Sequence, residues 1–154
     1  MTIAVEYLMN TAAAADIAEH LLRCDGEFVA ILTSRVRLLV YAKKVAAKAT
    51  TFEAWSGGKL VGLVAAYCNN HENTIAYITN VSVLKEWNGY GIAKRLLKQC
   101  IDHASVSGMH RISLEVASDN SAAIHLYEKN GFATAEANST SVGMSLYLKL
   151  RGRE

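Results

Sequence analysis

The chain has 154 residues, of which 51% are hydrophobic and 19% charged, and its net charge is +2. That length and balance fit one soluble globular domain with a real hydrophobic core. The charge is too weak for a nucleic-acid partner, which would need a clustered basic face.

Thr2 to Met9 alternates loosely and predicts a strand. Asn10-Thr11 is placed to cap a helix from about Ala12 to Cys24, with Ile17, Leu21 and Leu22 on one face. Asp25-Gly26 ends it. Glu27 to Thr33 is an apolar connector, either packed core or one wall of a pocket. A second helix, about Ser34 to Ala49, carries Val36, Leu39, Val40 and Val45, with Ser34 as its cap. Phe52–Ser56 and Lys59–Cys68 flank Gly57-Gly58, a strong hairpin signal. Asn69 to Asn73 forms another turn, leading into a strand from Thr74 to Val83. His71 in that polar turn has no other ligand nearby and reads as a solvated residue.

A glycine-bearing turn then hands over to a helix. Ala93, Leu96, Leu97, Cys100, Ile101 and Ala104 follow helical spacing and bury one stripe, with Lys94, Arg95 and Lys98 off it. Gly108 is a C-terminal stop. Arg111–Ala117 is a strand, with Ile112, Leu114 and Val116 on one face and Arg111, Ser113 and Glu115 on the other. Asp119 or Asn120 starts a short helix that ends at Gly131. Phe132–Ala137 and Val142–Leu150 are the last two strands. The order β-α-α-β-β-β-α-β-α-β-β is α+β in a single domain spanning 1–154, with a mostly antiparallel sheet.

The sequence contains no proline, so Gly, Asn, Asp and Ser must shape the loops. Its three cysteines, Cys24, Cys68 and Cys100, lie far apart. A disulfide framework or a zinc site would show paired, close spacings, so they read as reduced thiols of a cytoplasmic protein, without a metal. No cysteine stands beside a His and a carboxylate in sequence, which gives no support for a covalent enzyme intermediate. The start lacks a basic region followed by an apolar stretch, and no apolar run approaches membrane-spanning length, so neither a signal peptide nor a membrane partner is expected.

A strand that enters a helix through Gly-x-Gly builds an anion site. The first turn of a helix has N–H groups with no internal partner, and the helix dipole adds positive charge there. Asn88-Gly89-Tyr90-Gly91-Ile92-Ala93 is such a turn. The dinucleotide fingerprint would need a third glycine where Lys94 stands, and its strand would open a βαβ unit instead of closing a meander. The Gly-Lys-Ser/Thr of a P-loop is absent too.

Two patterns occur together in order. The first is Q/R-x-x-G-x-G/A, matched from Asn88 to Ala93. The second is N-x-x-A-x-x-L-Y-x-x-x-G-F, matched by Asn120, Ala123, Leu126, Tyr127, Gly131 and Phe132. Together they resemble the GNAT superfamily of acetyl-coenzyme A-dependent N-acetyltransferases, sharply over about residues 60–132 and loosely before. The resemblance implies a GNAT-like fold, a central sheet of about seven strands flanked by about four helices. It implies acetyl-coenzyme A as acyl donor and an amine as acceptor, in a monomer or homodimer. By position, backbone groups of Val81, Ser82 and Val83 face the acetyl carbonyl and pantetheine arm. N–H groups of Asn88, Gly89, Tyr90, Gly91, Ile92 and Ala93 cradle the pyrophosphate. Asn120 contacts the pantetheine arm, and Tyr127 sits near the thioester sulfur as general acid. Asn88 departs from the family's Gln or Arg, which removes one side-chain contact.

The segment from Leu114-Glu115-Val116 to Leu126-Tyr127 resembles the branch that acetylates protein N-termini, in which this glutamate is the general base. An attacking amine must be neutral. Its pKa is near 8 for an α-amine and near 10.4 for a lysine, so near neutral pH it needs a proton acceptor. Glu72 and a water held by backbone carbonyls are rival bases, and a surface role for Glu115 stays open. A tyrosine near pKa 10 protonating a thiolate near 8.5 is uphill by roughly 2 kcal/mol, so Tyr127 is expected to act mainly through a hydrogen bond. Phe28, Arg35, Arg37 and Tyr41 are candidates for an acceptor pocket. The acceptor is a small amine, an amino sugar or a protein N-terminus. The competing class is a non-catalytic coenzyme A-binding sensor or scaffold, which explains the cradle but not Glu115 and Tyr127.

Overall fold

The computed structural model describes residues 4–24 and 32–148. The elements run β1 (Glu6–Met9), α1 (Ala14–Cys24), α2 (Leu32–Lys48), β2 (Thr50–Ser56), β3 (Lys59–Tyr67), β4 (Ile75–Val83), a 3-10 turn (Lys85–Trp87), α3 (Ile92–Val106), β5 (Arg111–Ala117), α4 (Ser121–Lys129), β6 (Ala133–Ala137) and β7 (Ser141–Tyr147). The strand order is β1-β2-β3-β4-β5-β7-β6. β1 pairs with β2, β5 with β7, and β6 with β7, all antiparallel. β4 and β5 are parallel, Ile75–Ile78 against Arg111–Leu114. Parallel neighbours cannot be joined by a hairpin, so the chain crosses over through α3. The element order and the α+β class agree with the sequence expectation; the 3-10 turn is an addition to it. The connector around 27–31, with Phe28, lies outside the described residues, as do the side chains of Ser34 and Arg35.

The chain divides into two compact units, one formed by residues up to Ala65 with Asn80–Leu97, the other by Ala66–Thr79 with the residues from Lys98 onward. In the first, Ile17, Ala42, Val45, Leu60, Leu63 and Ala65 form a buried cluster, with Leu21, Tyr41 and Trp55 packed against it. Of the four apolar residues that the sequence singles out in α2, only Val45 is buried; Val36, Leu39 and Val40 are exposed. The buried stripe is Leu38, Ala42 and Val45, an i, i+4, i+7 row in which the small Ala42 lets the helix approach its support closely.

The start of α1 also differs from the expected cap. Asn10 Oδ1 accepts from the Thr51 N–H at 2.9 Å instead of capping the helix. The N–H groups of Thr11 and Ala12 donate to Glu53, at 3.0 and 3.1 Å. Asp16 accepts from the Ala13 N–H at 2.9 Å. Glu53 is fully buried, and its carboxylate also accepts from the hydroxyls of Thr11 and Thr51 and from the Trp55 indole N–H. Burial alone would raise its pKa; the donors from Thr11, Thr51, Trp55 and Ala12 outweigh it and hold the carboxyl below its ordinary value.

In the second unit β5 alternates as its sequence predicts, with Ile112, Leu114 and Val116 buried. Asn120 caps α4, its Oδ1 accepting from the Ala123 N–H at 3.2 Å. Tyr127 and Phe132 are both buried, their rings 6.0 Å apart. Met109, Ile112, Cys100, Ala104 and Met144 complete the interior.

Glu53→Ala leaves two N–H groups, two hydroxyls and an indole N–H without their acceptor. It is expected to cost about 3 kcal/mol or more in urea unfolding at neutral pH. The gap from wild type should narrow as pH falls below the ordinary carboxylate value of 4.5. A depressed folded-state pKa gives stability that is present above that value and lost on acidification.

Candidate functional site

The first group of site residues lies in the first unit. Asn80, Val81, Ser82 and Val83 at the end of β4 are all partly exposed. The Leu84 N–H donates to Val61 O at 2.9 Å, and the 3-10 turn closes through Trp87 N–H to Leu84 O and Asn88 N–H to Lys85 O. The Asn88 N–H is therefore engaged inside the turn, and the N–H groups that remain for an anion begin at Gly89. Gly89 and Gly91 have φ of +89° and +74°, and a Cβ built on either would meet nothing within 4 Å. Left-handed backbone with open space beside it is where glycine is needed for a ligand's close approach. α3 follows at once, and its first-turn N–H groups from Ile92 to Lys94 have no partner within the helix. The helix is anchored by buried Ile92 against Gly62, where an added Cβ would lie 2.6 Å from Ile92 Cγ2. The Arg95 guanidinium stands 3.9 Å from the centre of the Tyr7 ring. Tyr90 is exposed, its ring 5.5 Å from that of Trp87. The turn thus has the geometry and charge to hold a pyrophosphate.

The same unit holds a group that sequence reasoning missed. His20 of α1 is 1% exposed. Its Nδ1 is 2.8 Å from Leu60 O and its Nε2 is 2.9 Å from Ser82 Oγ. Cys24 Sγ lies 3.4 Å from Nε2, so a thiol does stand beside a histidine, one helical turn on. The local signal for that contact was the i, i+4 spacing of His20 and Cys24.

The second group lies in the other unit. Glu115 is exposed on the face of β5 opposite Leu114 and Val116. It accepts a hydrogen bond from Ser141 Oγ at 3.1 Å. Glu115 and Glu136 are both registered to Gly143 of β7, one from each side. A Cβ at Gly143 would be 3.1 Å from Glu136 Cγ, so the missing side chain is what leaves room between the two carboxylates. They line a cavity of about 380 Å3 with Tyr77, Arg111, Ser113 and Ser145, so two carboxylates and one guanidinium share it. The Tyr77 phenol is raised above its ordinary pKa, first by desolvation and then by the Glu115 charge. Tyr77 and Glu136 were not singled out from sequence, because only strand pairing puts them beside Glu115. The Tyr127 phenol is pushed up to about 12 by burial. Asn120 Oδ1 is committed to the cap of α4, which leaves its amide N–H groups for a ligand. Glu72 and His71 are exposed in their turn, and Arg37 is exposed on α2, while Tyr41 packs against the α1–α2 cluster. Among the described residues no group of three or more His, Cys, Asp or Glu is placed to hold a metal ion, and no helix is long and apolar enough to cross a membrane.

A family model described as the acetyltransferase (GNAT) family matches residues 14–132. The N-alpha-acetyltransferase MAK3 of Arabidopsis thaliana is 34% identical over 86 residues, covering 55% of this chain and 45% of its own. The mycothiol acetyltransferase of Corynebacterium efficiens is 32% identical over 82 residues, 53% of this chain and 27% of its own. The chain therefore spans about half the length of the first relative and about a quarter of the second. The crystal structure of a PaiA N-acetyltransferase from Thermoplasma acidophilum in complex with coenzyme A superposes with a TM-score of 0.75 at 16% identity, covering 95% of this chain and 100% of that one. At that identity the likeness is one of fold.

The thiols differ sharply in access, and none is in a disulfide. Cys68 is buried with its pKa raised to about 11, and Cys100 is fully buried with its pKa raised by burial and then by Cys68. Cys24 is only partly buried. Ellman's reagent at about pH 8 is expected to label Cys24 alone on the native protein and all three thiols in urea, because thiolate and access are both required. Native labelling of Cys100 at a comparable rate would contradict the packing described.

Proposed function

The chain belongs to the acetyltransferase (GNAT) family, and we propose that it transfers an acetyl group from acetyl-coenzyme A directly to a primary amine. The four helices and the seven-stranded, mostly antiparallel sheet among the described residues are that family's fold. The observation that carries the reading is the open Gly89–Gly91 turn at the N-terminus of α3, which fits a pyrophosphate. Gly89, Tyr90, Gly91, Ile92 and Ala93 would hold the phosphates through their N–H groups. The Val81–Val83 backbone would hold the pantetheine arm and the acetyl carbonyl, with an N–H near Val83 stabilising developing negative charge. Asn120 would reach the pantetheine arm with its amide N–H. When bound, the donor supplies an activated thioester.

The chain's own groups would then manage two protons. An acceptor that arrives as an ammonium ion would lose one proton to Glu115, directly or through a water, and attack as the neutral amine; the second proton, shed by the nitrogen as the C–S bond breaks, would go to the departing thiolate, so that coenzyme A leaves as the thiol. Tyr127 stabilises the departing thiolate by donating a hydrogen bond. Full proton transfer from a phenol at about 12 to a thiol near 8.5 would be uphill by about 5 kcal/mol. Burial therefore keeps Tyr127 a neutral donor across the working pH range. Glu136, on the far side of Gly143 from Glu115, adds negative charge and favours an acceptor that arrives as an ammonium ion. The relatives named above are, by their names, an N-alpha-acetyltransferase and a mycothiol acetyltransferase; for this chain a protein N-terminus and a small amine or amino sugar both satisfy the same charge requirement.

The test is thiol release with small amines, amino sugars and N-terminal peptides. Turnover with at least one amine supports the reading; tight coenzyme A binding with no turnover on any of them would favour a sensor or scaffold instead. Tyr127→Phe is expected to lower kcat at least about tenfold with little change in donor affinity. Glu115→Gln should flatten the alkaline-rising limb of the pH–rate profile, and an untouched profile would place the base elsewhere. Glu136→Gln should raise the KM for the amine several-fold and leave the KM for acetyl-coenzyme A alone.

A further inference from the structure

The acyl-transfer chemistry leaves His20 unused, although it is 1% exposed and polar side chains are rarely buried without a task. Its surroundings fix both its charge and its tautomer. Desolvation lowers its pKa, against a smaller upward pull from the hydrogen bonds at Leu60 and Ser82, so the ring is neutral. Leu60 O, 2.8 Å from Nδ1, can only accept, so Nδ1 carries the proton. Nε2 then presents a lone pair 2.9 Å from Ser82 Oγ, and the Ser82 hydroxyl must donate to it. The oxygen of that hydroxyl accepts from Asn80 Nδ2 at 2.8 Å. Asn80 Nδ2 also lies 3.5 Å from Leu63 O. Cys24 Sγ, 3.4 Å from Nε2, is a weaker second neighbour of the same lone pair. The chain of donors therefore has one direction, from Asn80 to Ser82 to His20 to Leu60. It ties the end of β4 to α1 and to β3.

We propose that His20 is a positioning residue for the acyl donor: through Ser82 it fixes the 80–83 strand end against which the pantetheine arm and acetyl carbonyl bind. The inference rests on the cofactor site proposed above. Ser82 and Asn80 lie in the strand end itself, so fixing the Ser82 oxygen between Asn80 and His20 restrains the backbone that carries it. His20 holds that segment in one arrangement before the donor arrives, which removes an ordering cost from binding. An apolar side chain at position 20 would fill the space but leave the Ser82 hydroxyl without its acceptor.

The experiment uses the intact chain and three variants. The amide oxygen of a glutamine reaches the place of Nε2 and accepts from Ser82. An asparagine reaches only the place of Nδ1 and cannot. Coenzyme A affinity is measured by titration calorimetry, KM and kcat with acetyl-coenzyme A and an accepted amine, and thermal midpoint alongside. His20→Asn is expected to weaken coenzyme A binding and raise the KM for acetyl-coenzyme A about tenfold, the effect of one lost positioning hydrogen bond, with the KM for the amine unchanged. His20→Gln should recover most of that affinity even if its thermal midpoint falls as far as that of His20→Asn. Ser82→Ala, which keeps the backbone and nearly all the packing, should weaken donor binding like His20→Asn. If wild type binds coenzyme A and His20→Asn and Ser82→Ala bind it equally well, the positioning role is overturned while the cofactor site stands. A wild type that binds no coenzyme A overturns the cofactor site and the inference with it.

Discussion

The parallel pairing of β4 with β5 is the constraint on which the candidate site depends. Ile75–Ile78 run alongside Arg111–Leu114 in the same direction, so the chain must leave the end of one strand and return to the start of the other. α3 makes that return, and a helix placed there turns its N-terminus toward the strand it follows. The glycines at 89 and 91 are the local expression of this demand. Their positive φ values let the backbone reverse within a few residues and leave its N–H groups uncovered. The proposed anion site is thus a by-product of connecting two parallel strands.

Features made by neighbours in sequence were legible before the structure. The alternation of β5 put Glu115 opposite Leu114 and Val116, and burial follows that alternation. The Asn120–Ala123 spacing contains the N-cap of α4, and the Gly89–Gly91 pair contains the turn. What sequence did not reveal depends on distant partners. The N–H groups before α1 go to Glu53, more than forty residues away, so Asn10 and Thr11 gave a false cap. His20 finds partners at Leu60 and Ser82, forty and sixty-two residues on, and local spacing shows only Cys24. Glu136 meets Glu115 across a third strand, through Gly143, and no linear pattern announces that. In α2 the error is of another kind. Val36, Leu39 and Val40 are more hydrophobic than Ala42, yet Ala42 is buried and they are not, because close approach selects for small size as well as for apolarity.

The two carboxyl-bearing regions illustrate how register can set chemistry. Antiparallel partners bring directly opposed side chains to within about 5 Å of one another, and a central strand carries a neighbour on each side. With any larger residue at 143, the side chain would occupy the space between positions 115 and 136. With glycine, the Glu136 side chain can lie over position 143 on the side facing Glu115, and a cation bound there would relieve the repulsion between the two carboxylates. Tyr77 on the neighbouring strand feels that field, since the Glu115 charge adds to burial in raising its phenol. A cationic acceptor reduces the repulsion, and an anionic one would add to it.

Glu53 and His20 show why one buried ionisable group keeps its charge and another gives it up. Both are removed from water within the same unit, and in both cases burial opposes the charged form. Glu53 is met by two backbone N–H groups, two hydroxyls and an indole N–H, all of which can point hydrogens at its oxygens. That supply exceeds the desolvation penalty and the carboxylate persists. His20 is met by a carbonyl that accepts one proton and by a single hydroxyl, whose oxygen accepts from Asn80 and whose hydrogen points at Nε2. Two neutral partners favour the imidazolium less than burial opposes it, so burial prevails. The charged group, locked by many fixed donors, holds the start of α1. The neutral one, joined to a hydroxyl with one rotatable bond, holds the strand end proposed to receive the pantetheine arm. The number and the rigidity of the partners, more than depth of burial, therefore separate a structural anchor from a group able to set the arrangement of a binding segment.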